Sequence, residues 1–591
     1  MKTIKMKILA LILLLSMLAT PILVSCKPAG GVQSESTTDA VTEAPKVNIV
    51  LFENGETSYT VIRPDGADKA TVNASTSVWN GLSTYTEDSD KSFDIKNDLL
   101  KRDETIPENE TAILVGFTNR PFTEVAFNGL SYSDYRVQPI GTRIYIAAYT
   151  AEAFEKAIKQ FLSYVKEHTV DGKCVIESSF LIEGSVGGVI AELPAVVGKT
   201  PLTIHDMNDS CQLVVHEECE KSDYEEYLTV ISEKYSLYTS NVIGENIFNT
   251  FKNDKYLVHT YFMGKTGYIR TTIEPLSSTS VIPLESENKY TTVTTPLVTQ
   301  IGCERVGITD SFQNGMCYIF RLSDGRFIIY DGGFATNNYD ATKIANTLKE
   351  QAVDKNNIVI AAWIMTHAHA DHNGAFRSFI KTFTPNNNSS VFTIQNVIRN
   401  TPTIPDATGA NHDNPQYIED YEQQERYLKQ NGCNLIKTHP GQEFFFADAK
   451  ITFLYNLEMF IPKKFDYFNT STSVSIFEIA GQKFAMLGDC SEDASAIIVK
   501  NYTGVDLVCD FLQVAHHGYQ GGTTPLYKLF DPTYVLWPAA EYDFYEKLQN
   551  NSRSEYLVTL STKVKGIYTA GASKYVFTLP FDGTNYTKTT N

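Results

Sequence analysis

Seven residues, THAHADH at 366–372, place three histidines and an aspartate directly after the apolar run 358–365. The chain contains only eleven histidines, so this concentration calls for a chemical reason. Imidazoles crowded on one turn resist joint protonation and compete for hydration. A divalent metal offsets both costs, because zinc binds neutral histidine nitrogens and carboxylate oxygens. The stretch therefore predicts a metal site.

The spacing HxHxDH indicates two adjacent metals. If the preceding strand ends at Met365, His367 and His369 are two residues apart and project to the same side. Asp371 and His372 then turn toward a neighbouring point, as a helix begins near Asn373. The alternative interpretation is a histidine-rich surface turn with Asp371 capping the helix. We favour the metal, because four fixed positions of these types seldom coincide by chance.

Two later motifs also follow apolar strands. KFAMLGDC at 483–490 ends a strand at Gly488 and Asp489, and FLQVAHHG at 511–518 ends one at His516 and His517. Alone, LGD is weak evidence, because a strand followed by a Gly-Asp turn is common. In this order after HxHxDH, the three motifs support one another.

HxHxDH, LGD and HHG together resemble the metal motifs of the metallo-β-lactamase superfamily. With DGG at 331–333, they are most similar to the hydrolase domain of competence DNA-uptake proteins and to phosphorylcholine esterases of bacterial surfaces. The resemblance covers roughly half of the chain, and it implies two divalent metal ions. Zinc is expected first, with manganese or iron as alternatives. We interpret Asp331 itself as a structural residue at the turn after a strand.

The resemblance also implies the role of each site residue. One metal takes two histidines, the other takes an aspartate and two histidines, and a second aspartate bridges them. The predicted metal ligands are, in that order, His367 and His369, then Asp371, His372 and His517, then the bridging Asp489. Asp371 and His516 are the predicted catalytic residues. His516 would donate to an oxyanion or phosphoryl oxygen, although His516 and His517 could exchange roles.

Many members of the superfamily have a further histidine that completes the first metal shell. In this chain only His412 and His439 lie between the first motif and Asp489. His439 lies just before a turn and strand, and His412 lies in a loop, which favours His412 slightly. If neither binds, the first metal keeps an open position, as phosphoester chemistry allows.

The expected reaction is hydrolysis by a water that two metals about 3.5 to 4 Å apart deprotonate near neutral pH. Phosphoester or phosphodiester substrates, small or polymeric, are favoured by the resemblance. A β-lactamase or other ester hydrolase is a weaker alternative, because the HHG motif and the long connection between motifs fit the esterase and nuclease branches. Fold alone does not fix the substrate.

A competing hypothesis is that the protein is not an enzyme. It would then be a lipid-anchored protein that binds a glycan or another ligand, and its metal domain would have a structural role. The run ILVGFTNR at 113–120 weakly resembles accessory domains of exported carbohydrate-active enzymes, which suggests glycan contact through the N-terminal domains. The full set of six ligands counts against a purely structural domain.

The first residues predict export. Lys2, Lys5 and Lys7 precede an apolar run at 8–18, and LVSC at 23–26 resembles a bacterial lipobox. We therefore expect a signal peptide at 1–26, a lipid on Cys26, and attachment to the outer face of the cell membrane. An ordinary secretory signal is the alternative. Residues 27–46, rich in Gly, Ser and Thr, predict a flexible tether.

The remaining chain predicts three domains. Short β-rich runs and a helix at 151–165 indicate an α/β domain at 47–200. A helix at 223–233 and two alternating strands indicate a small α+β domain with a linker at 201–299. The fold class is thus α/β, and the resemblance implies a C-terminal αββα metallo-β-lactamase sandwich at 300–591.

Charge and cysteine content limit the partners. The net charge is −19 and no long basic run exists, so tight nonspecific nucleic-acid binding is not expected. None of the nine cysteines forms a CxxC pair. Apart from Cys26, most of them lie in apolar, strand-like stretches, which favours buried free thiols over disulfides or a zinc ribbon.

Overall fold

The computed structural model describes residues 48–590, except 87–89, 103, 209, 305–313, 385–389, 410–412, 431 and 465. The predicted signal peptide, Cys26, the tether and His412 lie outside the described residues. Contacts between Cα atoms group residues 48–591 into one compact unit. The predicted domain boundaries inside that unit stay predictions.

The first part of the unit has a parallel-centred sheet covered by helices, as its alternation of apolar strands and an amphipathic helix predicts. Its sheets have the strand orders β3-β2-β4-β6-β5-β9 and β1-β8-β7. The elements are β1 (Ile49–Glu53), β2 (Thr60–Arg63), α1 (Lys69–Ser83), β3 (Asp94–Asn97), β4 (Ala112–Val115), α2 (Thr123–Phe127), β5 (Asp134–Ile140), β6 (Arg143–Ala148), α3 (Ala151–Glu167), β7 (Thr169–Val170), β8 (Lys173–Ile176) and β9 (Ile182–Ser185).

The second part is an antiparallel sheet with one helix, and we call it the accessory sheet. Its strand order is β10-β11-β15-β14-β13-β12. The elements are β10 (Thr203–Asp206), β11 (Gln212–His216), α4 (Lys221–Lys234), β12 (Ser236–Ile243), β13 (Asn246–Lys252), β14 (Tyr256–Met263) and β15 (Tyr268–Pro275). The following stretch, expected to be a linker to 299, ends three residues earlier, because β16 begins at Leu297.

Two further sheets form a sandwich. The first has the order β24-β23-β21-β20-β19-β16-β32-β33, with β22 paired to β21. Its elements and their neighbours are β16 (Leu297–Ile301), β17 (Cys303–Glu304), β18 (Asn314–Gly315), β19 (Cys317–Arg321), β20 (Phe327–Asp331), α5 (Tyr339–Gln351), β21 (Ile358–Ile364), α6 (Ala370–Phe383), β22 (Phe392–Ile394), β23 (Asn396–Arg399), α7 (Ile404–Gly409), α8 (Gln416–Gln430) and β24 (Asn434–Lys437).

The second sheet of the sandwich has the order β25-β26-β27-β28-β29-β30-β31. The last two strands of the chain return to the first sheet. The elements are β25 (Glu443–Phe446), β26 (Ala449–Tyr455), β27 (Val474–Ile479), β28 (Gln482–Met486), α9 (Glu492–Tyr502), β29 (Phe511–Gln513), α10 (Thr524–Phe530), β30 (Tyr534–Trp537), α11 (Glu541–Glu546), β31 (Gly566–Thr569), β32 (Ser573–Thr578) and β33 (Tyr586–Thr590).

The core between the two sheets is aromatic and aliphatic. Phe320 from the first sheet and Phe477 from the second lie 4.1 Å apart between ring centroids. On the outer face of the first sheet, Trp363 packs against Phe376 and Phe379 of α6. On the outer face of the second sheet, residues of α9 and α10 share a buried cluster with β28 and β29. This is the predicted αββα sandwich.

The described cysteines are free and buried, which confirms the prediction of buried thiols. No helix among the described residues is both long and apolar enough to cross a bilayer.

Candidate metal centre

Three strand ends meet at one edge of the sandwich and carry the predicted ligands. β21 ends at Ile364, two residues before the THAHADH run. β28 ends at Met486, and its parallel neighbour β29 ends at Gln513, so the segments that follow them share an edge. Backbone hydrogen bonds connect these segments, since His516 N donates to Gly488 O at 3.1 Å. The topology therefore gathers residues that are more than 100 positions apart in the sequence.

Four of the predicted ligands form one group whose ligand atoms all lie within 4.8 Å of one another. His372 Nε2 lies 3.0 Å from Asp489 Oδ1 and 3.3 Å from His517 Nε2. His517 Nε2 lies 3.4 Å from Asp371 Oδ2. We call these residues, Asp371, His372, Asp489 and His517, the second group.

His367, His369 and Asp489 form the first group, also within 4.8 Å. His367 Nε2 lies 2.9 Å from His369 Nδ1 and 3.8 Å from Asp489 Oδ2. Asp489 thus belongs to both groups, each through a different carboxylate oxygen. The structure brings the six predicted ligands together in the two sets that the sequence predicts.

The helix after the motif begins earlier than expected. α6 starts at Ala370, with His369 as its N-cap residue, rather than near Asn373. Asp371 and His372 therefore lie in the first turn of the helix, and no side chain caps it, so the alternative role of Asp371 as a cap is wrong. From this first turn, Asp371 and His372 reach the second group, whereas His369 reaches the first group.

Outer acceptors fix the ring orientation in the second group. His372 Nδ1 lies 2.7 Å from Asp331 Oδ2, and His517 Nδ1 lies 2.7 Å from Pro538 O. A carbonyl and an ionised carboxylate only accept, so both Nδ1 atoms donate. In the neutral form of each ring, the Nε2 atom then faces the centre as a lone pair. From the sequence, Asp331 is interpreted as a structural residue at a turn. In the structure its carboxylate also orients the His372 ring.

The first group is held in the same way. His369 Nε2 donates to Asp413 Oδ1 at 2.7 Å, which leaves His369 Nδ1 as the inward lone pair. His367 Nδ1 lies 3.1 Å from Thr366 Oγ1, whose proton is given to Asp331 Oδ2 at 2.7 Å. His367 Nε2 consequently faces the centre. Partners of this kind fix the tautomer of metal-binding histidines.

These contacts test whether the residues suit a metal. The lone pairs of four imidazole nitrogens and the oxygens of Asp371 and Asp489 converge on the same space. Asp489 Oδ1 is buried and makes no hydrogen bond of good geometry among the described residues. Facing acceptors repel unless a cation lies between them. Neutral imidazole and carboxylate are the ligands that zinc and related divalent metals take, so the residues fit.

The pKa shifts of the histidines at the centre also indicate that the buried carboxylates attract positive charge. Burial disfavours the charged form of His372, but the carboxylates of Asp489, Asp331 and Asp371 outweigh burial and raise its pKa well above the usual value. Burial lowers the pKa of His367, and the neighbouring His372 and His369 lower it further. Without a metal, protons on some rings balance the carboxylates.

Two glycines allow the ligand-bearing turns. Gly518 has a φ of +89°, and a Cβ there would lie 2.5 Å from the Trp537 ring. Trp537 Nε1 in turn donates to His517 O at 2.8 Å. Gly488 has a φ of +51°, and a Cβ there would lie 2.9 Å from Thr366. The glycines of LGD and HHG are therefore required by close approach and by left-handed backbone.

His516, the predicted substrate-facing residue, lies at the rim of this arrangement. Its Nε2 is 3.9 Å from Asp489 Oδ2, and its side chain is 16% exposed. Its Nδ1 contacts the Gln520 carbonyl, so Nδ1 carries the proton. Burial lowers the pKa of His516, which favours the neutral ring. In that form Nε2 accepts hydrogen bonds, and the predicted donation to a substrate oxygen requires a protonated ring.

The structure removes one of the two candidates for a further first-group ligand. Both ring nitrogens of His439 are engaged elsewhere, with Glu458 Oε1 at 2.5 Å and Glu274 Oε1 at 3.1 Å. Asp413, next to His412 in the sequence, reaches the centre instead as the partner of His369. Sequence reasoning missed Asp413, because no spacing rule marks a single carboxylate in a loop.

Sequence reasoning also missed Tyr467, whose ring centroid lies 5.2 Å from that of His369 and 6.3 Å from that of His516. In the sequence, Tyr467 is marked only by its place in the turn-rich stretch before β27, which does not predict a functional role. It is half-buried at the mouth of the centre.

A search of solved structures finds proteins with low similarity to this chain. Three of the structural neighbours are a metallo-β-lactamase fold protein, YhfI, from Bacillus subtilis, the diiron β-hydroxylase CmlA from Streptomyces venezuelae, and the subclass B3 metallo-β-lactamase MEM-A1 from a soil metagenome library. YhfI is 15% identical, with a TM-score of 0.29 over 47% of this chain and 96% of its own. CmlA is 10% identical, with a TM-score of 0.29 over 49% and 55%. MEM-A1 is 13% identical, with a TM-score of 0.22 over 39% and 80%.

A search of curated protein sequences finds no match to this chain. The family assignment rests on a family model and not on the structural neighbours. Residues 311–387, which include THAHADH, match the model of the metallo-beta-lactamase superfamily. The chain therefore contains a domain of the metallo-β-lactamase superfamily.

Proposed function

We propose that this protein is a metal-dependent hydrolase of phosphoesters or phosphodiesters. The observation that carries the proposal is the sharing of Asp489 between two ligand groups, each with two histidines whose outer nitrogens are fixed by acceptors. Two divalent cations in such a site supply Lewis acidity and activate water at neutral pH.

The residues of the chain do the positioning. Asp331 and the carbonyl of Pro538 keep the protons of His372 and His517 on the outer nitrogens. Asp413 does the same for His369. The rings therefore need no rearrangement to bind cations. Such preorganisation contributes most to electrostatic stabilisation in a buried site, where water does not screen the charges.

The open character of the first group supports a phosphoester substrate. Among the described residues this group has three members, His367, His369 and Asp489, and His439 is engaged elsewhere. A cation held by three ligands retains positions for substrate oxygens. The resemblance of the HHG segment to esterases and nucleases points to the same class.

The test uses the purified protein, first stripped of metal and then loaded with zinc or manganese. Bis(4-nitrophenyl) phosphate, 4-nitrophenyl phosphorylcholine and a chromogenic cephalosporin are offered in parallel, with Asp489→Asn as the inactive comparison. We expect metal-dependent release of nitrophenol from at least one phosphoester and little cephalosporin turnover. Turnover of the cephalosporin alone would replace the proposal with a β-lactamase. Metal binding without turnover would favour a ligand-binding protein.

Location is a further proposal that rests on the sequence alone. We propose export and lipidation at Cys26, which anchors the protein at the outer face of the bacterial membrane, with glycan contact through residues 47–299. Mass spectrometry of the mature N-terminus tests the anchor. A diacylglyceryl cysteine at position 26 is expected, and cleavage at another position without lipid would contradict it.

A further inference from the structure

The segment 467–473, which we call the 467–473 loop, lies against the metal centre. Ser473 N donates to Thr366 O at 2.9 Å, which joins the loop to the residue that precedes His367. Tyr455 Oη donates to Thr470 O at 2.7 Å and secures the middle of the loop. Phe468 N donates to the second oxygen of Asp413. The loop is thus fixed to the same framework as the ligands.

Tyr467 is the residue of this loop that faces the mouth of the centre. Its ring centroid lies 5.2 Å from that of His369 and 6.3 Å from that of His516. Burial is the main cause that raises the pKa of Tyr467, and the charges of Asp489 and Asp413 add to the rise.

Asn469 supplies a second, independent observation. Its side chain is only 1% exposed, yet neither Nδ2 nor Oδ1 has a hydrogen bond of good geometry among the described residues. The Asn469 amide lowers the pKa of Tyr467 against the effect of burial, which is consistent with a place beside that hydroxyl. A buried amide without a hydrogen-bond partner destabilises the fold unless another polar group forms hydrogen bonds with it. If Nδ2 donates to Tyr467 Oη, the hydroxyl proton is free to point outward.

The neighbouring donors are committed elsewhere. Tyr519, whose ring is 6.1 Å from that of His516, gives its hydroxyl proton to Asp543 Oδ2 at 3.2 Å and accepts from Asn314 Nδ2 at 2.7 Å. The Nδ1 proton of His516 is given to the Gln520 carbonyl. These contacts leave the Tyr467 hydroxyl as the candidate donor to a substrate oxygen at the mouth.

We infer that Tyr467 is a catalytic residue whose hydroxyl donates a hydrogen bond to a phosphoryl oxygen of the bound substrate, and that Asn469 is the positioning residue for that hydroxyl. This inference rests on the proposed function and deepens it. A donor at this position favours substrates with a tetrahedral phosphoryl group. One phosphoryl oxygen of such a substrate remains available to the Tyr467 hydroxyl while others face the metal-binding residues.

The experiment compares wild type, Tyr467→Phe, Asn469→Ala and the matched control Tyr519→Phe, all as full-length protein loaded with the same metal. Metal content is measured first and should be equal in all four. Loss of a donor to developing negative charge typically lowers kcat by about 100-fold. We expect that fall for Tyr467→Phe together with a KM raised by up to about tenfold, an intermediate fall in kcat for Asn469→Ala, and near wild-type kcat and KM for Tyr519→Phe.

A binding measurement separates this inference from the proposed function. Calorimetric titration with inorganic phosphate should show about tenfold weaker binding to Tyr467→Phe than to wild type, as expected for a lost hydrogen bond to a charged group. If wild type hydrolyses no phosphoester but this difference persists, the proposed function fails and the donor role stands. Equal phosphate binding and equal kcat in wild type and Tyr467→Phe would overturn the donor role and leave the hydrolase proposal intact.

Discussion

Asp331 accepts a hydrogen bond from His372 Nδ1 at 2.7 Å, and both side chains are completely buried. The same carboxylate receives Thr366 N at 2.8 Å and Thr366 Oγ1 at 2.7 Å. One side chain at the end of β20 therefore fixes both the ring of His372 and the residue before His367. This relationship makes the turn after β20 a support of the metal centre.

Replacing Asp331 with Asn should weaken metal binding. The amide keeps the shape of the side chain but loses the charge that holds the proton on His372 Nδ1, and loss of such a partner typically costs 10- to 100-fold in metal affinity. Competition with a chromogenic chelator measures the change. Asp340→Asn is the control, because Asp340 is a buried carboxylate outside the centre that accepts from Phe334 N at 2.9 Å. Equal effects of the two substitutions would contradict the role of Asp331.

Replacing Asp413 with Asn should affect the first group selectively. Asp413 contacts His369, which belongs to the first group, and no member of the second group is hydrogen-bonded to it. We expect one metal equivalent to bind about tenfold more weakly while the other is unchanged. Titration that follows both equivalents separately tests this. Parallel weakening of both equivalents would show that Asp413 stabilises the loop rather than the orientation of His369.

Replacing Gly518 with Ala should destabilise the protein and loosen His517. The residue needs a φ of +89°, and its Cβ would lie 2.5 Å from the Trp537 ring. Gly481→Ala is the matched control, because Gly481 has a φ of +77° with nothing within 4 Å of its Cβ. Strain of the left-handed backbone costs about 1 to 2 kcal/mol at either position. Chemical denaturation should show a clearly larger loss for Gly518→Ala, and equal losses would argue against the close packing.

The sequence points to all six residues of the two groups because HxHxDH, LGD and HHG follow recognisable apolar strands and occur in the order that the superfamily resemblance implies. β21 is buried along nearly its whole length, and the ends of β28 and β29 carry LGD and HHG. The helix that follows HxHxDH starts three residues earlier than expected, at Ala370 with His369 in the N-cap position, and no capping side chain in the sequence marks this start.

The remaining contacts depend on tertiary packing that no local pattern encodes. Asp413 and Tyr467 lie in loops, where neither spacing nor periodicity marks a residue that turns inward. His439 pairs with Glu274 of the accessory sheet, which reaches across 165 positions in the sequence. A partner that distant becomes visible only when the two parts of the chain are folded together.

The pairing of His439 predicts a loss of stability at alkaline pH. His439 contacts Glu458 and Glu274, and the ring of His259 lies 5.0 Å away. Burial opposes protonation, but the two carboxylates outweigh it and raise the pKa of His439 from 6.5 to about 10. The protonated ring therefore stabilises the fold fully below pH 6.5, and the contribution disappears as pH rises through about 10.

The measurement is the free energy of unfolding of the metal-free protein between pH 6.5 and 10, for wild type and His439→Gln. Wild type should lose stability on the order of a few kcal/mol more than the variant over this range. The difference between the two proteins cancels the other groups that titrate in this range. Identical pH profiles would mean that His439 is not protonated in the folded protein.

The central claim is that Asp489 bridges two metal ions held by the first and second groups. Anomalous diffraction from crystals of the zinc-loaded protein tests it most directly. The account predicts two peaks about 3.5 to 4 Å apart, both within bonding distance of Asp489. One peak should contact His367 and His369, and the other should contact Asp371, His372 and His517. Metal peaks elsewhere in the protein, with none at Asp489, would contradict the account.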